Sequence, residues 1–101
     1  MAKAKELPGK GTRPPMELTV GNTYYIRTAR NDYVGRLESI CGPYTIVLAE
    51  ASWVANSGRL SDFMRDGQAE GMEIEPLYQS RTMLQWQEIT EWPHELFTEA
   101  I

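Results

Sequence analysis

Residues 33 to 51, YVGRLESICGPYTIVLAEA, contain two stretches with the composition of β-strands, joined by the turn dipeptide Gly42-Pro43. Their apolar residues are enriched in β-branched types, which suit a pleated and half-buried surface. These residues are Val34, Leu37, Ile40, Ile46, Val47 and Leu48. Gly35 has no Cβ, so its strand can bend sharply there or lie close against another backbone. The pattern predicts one strongly bent hairpin, of the kind that closes a small barrel.

Two elements are predicted before this hairpin, and the second strand of the hairpin is expected to be long. Pro15 can begin a short helical turn from Met16 to Val20. Residues 23 to 28, TYYIRT, are rich in strand-forming residue types and predict the first strand. The third strand, which is the second of the hairpin, is expected to continue as far as Val54.

One short helix is predicted over residues 59 to 66, where the apolar period changes from two to that of a helix. The apolar residues at i, i+3 and i+4 are Leu60, Phe63 and Met64. Asn56 and Ser57 are candidate N-caps, and Gly67 is a candidate C-terminal stop. We expect the apolar stripe to cover the barrel or a neighbouring subunit.

The last third of the chain predicts a loop followed by two strands. Residues 67 to 76 are acidic and punctuated by glycine, so we expect a loop that leads into an edge strand, where Pro76 is tolerated. The last two strands are expected at residues 77 to 81 and 83 to 90. The predicted fold is mainly β: a short N-terminal helical turn and a small five-stranded, SH3-like open barrel, with the short helix inserted between strands three and four.

The composition is that of one globular domain. The 101 residues are 42% hydrophobic and 24% charged, which is ordinary for a soluble protein. No apolar run approaches the roughly 20 residues needed to cross a bilayer, and no signal-peptide core is recognisable, so we expect a cytoplasmic location and no membrane partner. Cys41 is the only cysteine and His94 the only histidine. They cannot form a disulfide or a zinc site, and we expect neither a metal nor a cofactor.

Charge divides the chain into a basic arm and an acidic body. Residues 1 to 15 carry four basic residues against Glu6, a net charge of +3, whereas residues 16 to 101 carry six arginines against thirteen acids, a net charge of -7. The arm has too few apolar groups to pack and is expected to be flexible. It could attract nucleic acid or an acidic partner surface, or it could be a solvated tail. We expect residues 16 to 101 to form the single folded domain.

The order of these elements resembles that of the Sm-like family, which includes the LSm proteins and the bacterial RNA chaperone Hfq. The residues that match the family's first motif are Gly35, Leu37, the apolar run Ile46 to Leu48, and Glu50-Ala51 at the acidic end of that strand. The chain is also similar to small phage-associated members, which carry a longer excursion after strand three. The resemblance implies a small, strongly bent, five-stranded Sm-like barrel.

The resemblance also implies a nucleic-acid site in two loops. The family holds single-stranded RNA bases by stacking and by hydrogen bonds to base edges in the central pore of a ring. The corresponding positions here are Cys41 and Thr45 in the first loop and Arg81 and Thr82 in the second. Pro43 occupies the position of the family's stacking aromatic residue and cannot stack as a ring does.

A third implication is a homo-oligomeric ring, because an open barrel leaves unpaired strand edges. In the family, strand four of one subunit pairs with strand five of the next. The interface residues implied here are Leu77, Tyr78, Met83, Leu84 and Trp86. The three tryptophans, Trp53, Trp86 and Trp92, are expected in the core or at this interface rather than as exposed stacking platforms.

The sequence gives no support for catalysis, and we expect that the protein is not an enzyme. His94 lies beside Pro93 and is expected at the surface, without a nucleophile and an orienting acid to serve. Glu73 and Glu75 alternate along a polar stretch, which is typical of a solvated face. Two functions remain open: a ring that binds RNA or another single-stranded nucleic acid, and a ring-forming scaffold or adaptor, of the phage-assembly type, that does not bind nucleic acid.

Overall fold

The computed structural model describes residues 17 to 77 and 81 to 101. Within these residues it contains six strands in one antiparallel sheet and one helix. In chain order the elements are β1 (Thr23–Arg27), β2 (Asp32–Ile40), β3 (Thr45–Asn56), α1 (Leu60–Asp66), β4 (Glu73–Pro76), β5 (Thr82–Gln85) and β6 (Glu88–Glu91). The prediction of a mainly β fold with one short helix between strands three and four is confirmed. The basic arm, residues 1 to 15, lies outside the described residues.

The twelve-residue strand β3 organises the sheet. It pairs with β2 along most of its length, with β5 over Thr45 to Leu48, and with β4 over Ser52 to Asn56. On the far side of β2, β1 pairs with β2 and then with β6. The strand order is β4-β3-β2-β1-β6, and within the described residues β5 pairs only with β3. The sheet is therefore not closed by pairing between β5 and β6.

A β-bulge at Gly35 bends the predicted hairpin. The register changes from Val34 opposite Ser52 to Arg36 opposite Ala49, so Glu50 and Ala51 together face the single residue Gly35. Glu50 takes the left-handed conformation, with φ of 55°, as the extra residue of a bulge often does. A Cβ on Gly35 would lie 3.2 Å from the Ala51 Cα. The prediction that this glycine permits close approach of another backbone is confirmed.

The sheet carries a hydrophobic core on each face, because neighbouring side chains of a strand point to opposite faces. The first, here called the inner core, contains Tyr24, Ile26, Leu37, Ile46, Leu48 and Ala51. The outer core lies on the other face and contains Tyr25, Val34, Val54, Phe63, Ile74 and Trp92. Tyr24 and Tyr25 are adjacent in β1 yet belong to different cores, so β1 is buried on both faces.

The helix α1 and the segment after β6 cover the outer core. Phe63 is the buried residue of α1 and contacts the rings of Tyr25 and Trp92. Gly67 ends the helix in the left-handed conformation, with φ of 78°, as predicted. The predicted N-caps are wrong: Arg59 is the N-cap residue and makes no side-chain capping bond. The helical stripe therefore covers this molecule's own core, one of the two alternatives that the sequence left open.

The predicted N-terminal helical turn is wrong for residues 17 to 20, and Met16 lies outside the described residues. The chain instead makes a turn in which the Asn22 N–H donates to the Thr19 carbonyl over 3.1 Å. Leu18 packs against the inner core, and the Thr19 N–H donates to the Tyr24 hydroxyl. These contacts with the sheet outweigh the weak local preference for a helix so short.

The predicted number and bounds of the last strands are also wrong. Residues 73 to 76, expected in a loop, form β4, because Ile74 is buried in the outer core between two exposed glutamates. The edge position predicted for this segment agrees with the structure. The strand expected over residues 83 to 90 is divided into β5 and β6. The division arises because the Trp86 N–H bonds to the Tyr44 carbonyl beside β3, whereas the Gln87 N–H bonds to Arg27 of β1.

His94 is not the surface residue that the sequence predicts. It is half-buried, its Nε2 lies 2.9 Å from the Met64 carbonyl oxygen, and its ring packs over Gly67. The Met64 carbonyl belongs to the last turn of α1, where the helix itself supplies no partner. His94 thus ties the C-terminal segment to the end of the helix.

Candidate functional site

The four residues that the resemblance assigns to nucleic-acid binding lie in two separate places. Cys41 is exposed in the turn between β2 and β3, and its N–H bonds to the Thr45 carbonyl over 2.8 Å. Arg81 and Thr82 lie at the start of β5, where Thr82 is opposite Leu48. Thr45 is opposite Gln85, three positions further along, which places the two groups about 10 Å apart. The structure does not bring the four residues together.

Beside the β2–β3 turn the structure places an aromatic pair that the sequence analysis missed. The rings of Tyr44 and Trp86 meet edge to face with centroids 5.3 Å apart, and the Trp86 N–H donates to the Tyr44 carbonyl over 2.9 Å. Tyr44 is 58% exposed. Among the described residues the Trp86 Nε1 has no hydrogen-bond partner. A long gap in sequence separates the two residues, so only the pairing of β5 with β3 reveals that they meet.

The residues that the resemblance assigns to the oligomer interface have different environments. Leu77, Leu84 and Trp86 are partly buried against the inner core of their own chain. Met83 points away from that core and is 67% exposed. Tyr78 lies outside the described residues. Of the described members of this set, Met83 alone is a largely exposed apolar side chain in β5.

Of the three tryptophans, Trp92 is buried in the outer core and Trp86 packs against the inner core, as expected. Trp53 remains 38% exposed on β3, so it is not a core residue.

The outer edge of β4 is already capped. Ile74 exchanges two backbone hydrogen bonds with Ile101, each of 2.9 Å. The next outward N–H, that of Met72, bonds to the Ala69 carbonyl over 3.2 Å, and Pro76 has no N–H. Among the described residues, β4 therefore offers no free N–H donor along this edge for a further strand.

The outer edges of β5 and β6 are open within residues 17 to 77 and 81 to 101. In an antiparallel ladder, alternate residues turn their N–H and C=O groups toward opposite sides. Since the Trp86 N–H bonds to Tyr44, the backbone groups of Met83 and Gln85 face away from β3. Since the Trp92 N–H bonds to the Thr23 carbonyl over 3.0 Å, those of Ile89 and Glu91 face away from β1. Each edge thus presents two donors and two acceptors at i and i+2.

Most arginines of the described residues are paired with acids. Four of the six arginines make ion pairs, which include Arg27–Asp32, Arg36–Glu50, Arg65–Asp62 and Arg81–Glu38, with N···O distances between 3.0 and 3.5 Å. Arg30 and Arg59 have no ion pair with another described residue. A phosphate group would have to compete with these carboxylates for most of the cationic side chains of the body.

A polar cluster at the end of β1 surrounds the Tyr25 hydroxyl. This hydroxyl donates to Asp32 Oδ2 and accepts a 3.2 Å bond from Arg27 Nη2. Burial, followed by the hydrogen bond to the Asp32 carboxylate, raises the pKa of Tyr25 from 10.0 to about 12. Arg27 also lies 3.5 Å from Glu88 of β6, so the cluster links three strands. We interpret it as a structural network, because its polar groups satisfy one another.

The grooves on the surface are shallow, and those formed by the described residues contain no recognisable set of catalytic or metal-binding side chains. A groove of about 210 Å³ lies between the β1–β2 turn, residues 28 to 31, and Tyr33, Leu84 and Gln85. Within the described part of the chain, no group of three His, Cys, Asp or Glu side chains is placed to hold a metal ion. No helix in that part is long and apolar enough to cross a membrane.

Comparison of the chain with protein-family models, with curated proteins and with solved structures found no match. The open edges of β5 and β6 and the Tyr44–Trp86 pair are the two features of the described residues that are suited to binding a partner.

Proposed function

We propose that this protein is a self-assembling scaffold of the Sm-like type, in which β5 of one subunit pairs with β6 of the next until a ring closes. One observation carries the proposal: among the described residues, β5 and β6 each present an open edge, whereas the edge of β4 is capped by Ile101. In this proposal the protein has a structural role and not a catalytic one, and its first partner is another copy of the same chain.

The geometry of the two edges favours pairing with each other. Met83 and Gln85 on β5, and Ile89 and Glu91 on β6, present their backbone groups with the same i, i+2 spacing. Both strands have four residues. Joining two different edges is a head-to-tail contact, which produces a ring when the rotation between subunits closes a circle. Unpaired edges are otherwise an aggregation hazard, so an assembly that uses both is physically favoured.

The charge distribution favours a scaffold over a nucleic-acid chaperone. The body carries a net charge of -7, and four of its six arginines are in ion pairs with carboxylates. Affinity for nucleic acid comes largely from cationic groups that replace the counterions of phosphates. Nucleic-acid binding by the body would therefore need stacking to supply much of the affinity.

Single-stranded nucleic-acid binding is the second candidate, and the Tyr44–Trp86 pair favours it. An exposed aromatic ring stacks on any base and contributes about 1–3 kcal/mol per base. Tyr44 is exposed beside Thr45, the hydroxyl residue that the resemblance assigns to base recognition. The basic arm could add contacts to phosphates.

The scaffold proposal is tested by removing one backbone donor from each edge. Met83→Pro deletes an outward N–H of β5, and Glu91→Pro deletes one of β6; proline is tolerated where the N–H faces away from the ladder. We expect the unmodified protein to sediment as a closed oligomer and each variant alone to sediment as a monomer. Mixed in equal amounts, the two variants retain one intact β5 edge and one intact β6 edge, so they should form a dimer and nothing larger.

Met83→Ala and Glu91→Ala are the matched controls, because they change the same side chains and keep the N–H. They should still form the closed oligomer, with at most about a fivefold loss of affinity from the missing side chain. Circular dichroism checks that all four variants are folded. A monomeric unmodified protein at micromolar concentration, or proline variants that still form the full oligomer, would rule out assembly through these edges.

A further inference from the structure

The β5 edge is flanked by a cation at each end. Arg81 directly precedes β5, and its side chain is 63% exposed although it lies 3.1 Å from Glu38. A guanidinium has five N–H donors, so it can accept a second carboxylate. At the other end, Arg30 lines the groove that also contains Gln85, and this groove contains no carboxylate among its lining residues. The strand β5 thus has one arginine near each end, on a body that is negative overall.

The β6 edge is flanked by anions at matching positions. Its sequence is Glu-Ile-Thr-Glu, with Glu88 at the start and Glu91 at the end, and both are exposed. Glu91 has no ion pair with another described residue, and Glu88 contacts Arg27 at 3.5 Å while its side chain remains 69% exposed. Both carboxylates are accessible to an approaching cation.

Only one antiparallel register pairs both outward-facing residues of β5 with both outward-facing residues of the neighbouring subunit's β6. In that register Met83 is opposite Glu91 of the neighbouring subunit, and Gln85 is opposite Ile89 of the neighbouring subunit. In this register Arg81 is diagonal to the neighbour's Glu91 on the same face, a separation of about 7–8 Å that long side chains bridge. The neighbour's Glu88 lies beside Trp86, at the end of β5 where Arg30 is found. Reversing the strand direction would exchange the positions of the two glutamates.

From this complementarity we propose that Arg81 and Arg30 bind Glu91 and Glu88 of the neighbouring subunit, and that these two ion pairs fix the register of β6 on β5. The inference rests on the proposed assembly through the β5 and β6 edges. It assigns to Arg81 an intersubunit role in place of the phosphate or base contact expected from the resemblance. It also explains how subunits with a net negative body attract one another locally.

Charge reversal followed by charge exchange tests the inference. An exposed ion pair contributes up to about 1 kcal/mol, equivalent to roughly a fivefold change in dissociation constant, and reversal adds repulsion to the lost attraction. We expect Arg81→Glu and Glu91→Arg each to weaken assembly by about tenfold in sedimentation velocity. The double variant Arg81→Glu/Glu91→Arg should recover most of the affinity, because it restores an opposite pair at every interface. The same holds for Arg30→Glu with Glu88→Arg.

Arg59→Glu is the matched control, since it makes the same change in net charge at an exposed residue away from both edges. It should assemble like the unmodified protein. If Arg81→Glu and Arg30→Glu behave like Arg59→Glu while Met83→Pro still abolishes assembly, the ion pairs are refuted and the edge pairing stands. If Met83→Pro has no effect, the proposed assembly itself fails, which is a distinguishable result. Double variants that are no better than the single ones would also overturn the inference.

Discussion

Gly35 offers a quantitative test of the bend that gives this protein its shape. In Gly35→Ala the new Cβ would lie 3.1 Å from Leu48 Cδ1, 3.2 Å from Leu48 Cβ and 3.2 Å from the Ala51 Cα. All three contacts are tighter than normal packing, and the Ala51 Cα belongs to backbone that cannot rotate away. Overpacking of this kind costs about 1–3 kcal/mol. The alanine also restricts the unfolded chain, which stabilises the folded protein by about 0.4–1 kcal/mol.

We therefore expect Gly35→Ala to lower the free energy of unfolding by about 1–2 kcal/mol in urea denaturation, with an unchanged m-value. Gly42→Ala is the control, because a Cβ there would lie no closer than 3.9 Å to its nearest neighbours, both atoms of Thr45. It should be neutral or slightly stabilising at the same protein concentration. Equal stabilities of the two variants would refute the close approach of β3 to Gly35.

Because the pKa of Tyr25 is raised to about 12 in the folded protein, its contribution to stability is complete below pH 10 and is lost as the pH rises toward 12. The free energy of unfolding should fall in that window by at most about 1.4 kcal/mol per pH unit, and a Tyr25→Phe variant that keeps the same dependence would contradict the assignment. If the second candidate function holds, Tyr44→Ala should weaken binding of a fluorescent uridine-rich oligonucleotide by roughly fivefold or more, whereas Tyr44→Phe keeps the stacking surface and the affinity. Absence of binding by the unmodified protein at 50 mM salt would leave the scaffold without a nucleic-acid partner.

Local patterns in the sequence were sufficient for the central hairpin and for the helix. Alternating and β-branched residues around Gly42-Pro43 predict β2 and β3, and the i, i+3, i+4 spacing that contains Phe63 predicts α1 with its stop at Gly67. These signals are local, because each depends on residues that lie only a few positions apart within one helix or strand. The bulge at Gly35 could be anticipated for the same reason, since a glycine inside an apolar strand often marks a bulge or a close approach of another backbone.

The bounds of the last strands could not be obtained in the same way. Ile74 is a single apolar residue between glutamates, and only its burial against Val54 and Trp92 makes residues 73 to 76 a strand. The stretch from 83 to 90 looks continuous in sequence, yet it must leave β3 at Trp86 and join β1 at Gln87. In both places long-range pairing decides the structure and local composition does not.

The candidate site shows the same difference between what local patterns predict and what long-range pairing decides. Composition and spacing are local properties, so the amino-acid sequence is enough to predict a strongly bent β-hairpin, a short amphipathic helix and an acidic body with six arginines. It does not reveal which strand edges are open among the described residues, that Ile101 caps β4, that Tyr44 contacts Trp86, or that Arg30 and Gln85 line one groove. Strand edges and side-chain contacts of this kind are made by backbone hydrogen bonds between residues far apart in sequence, and no local pattern specifies which ones will pair.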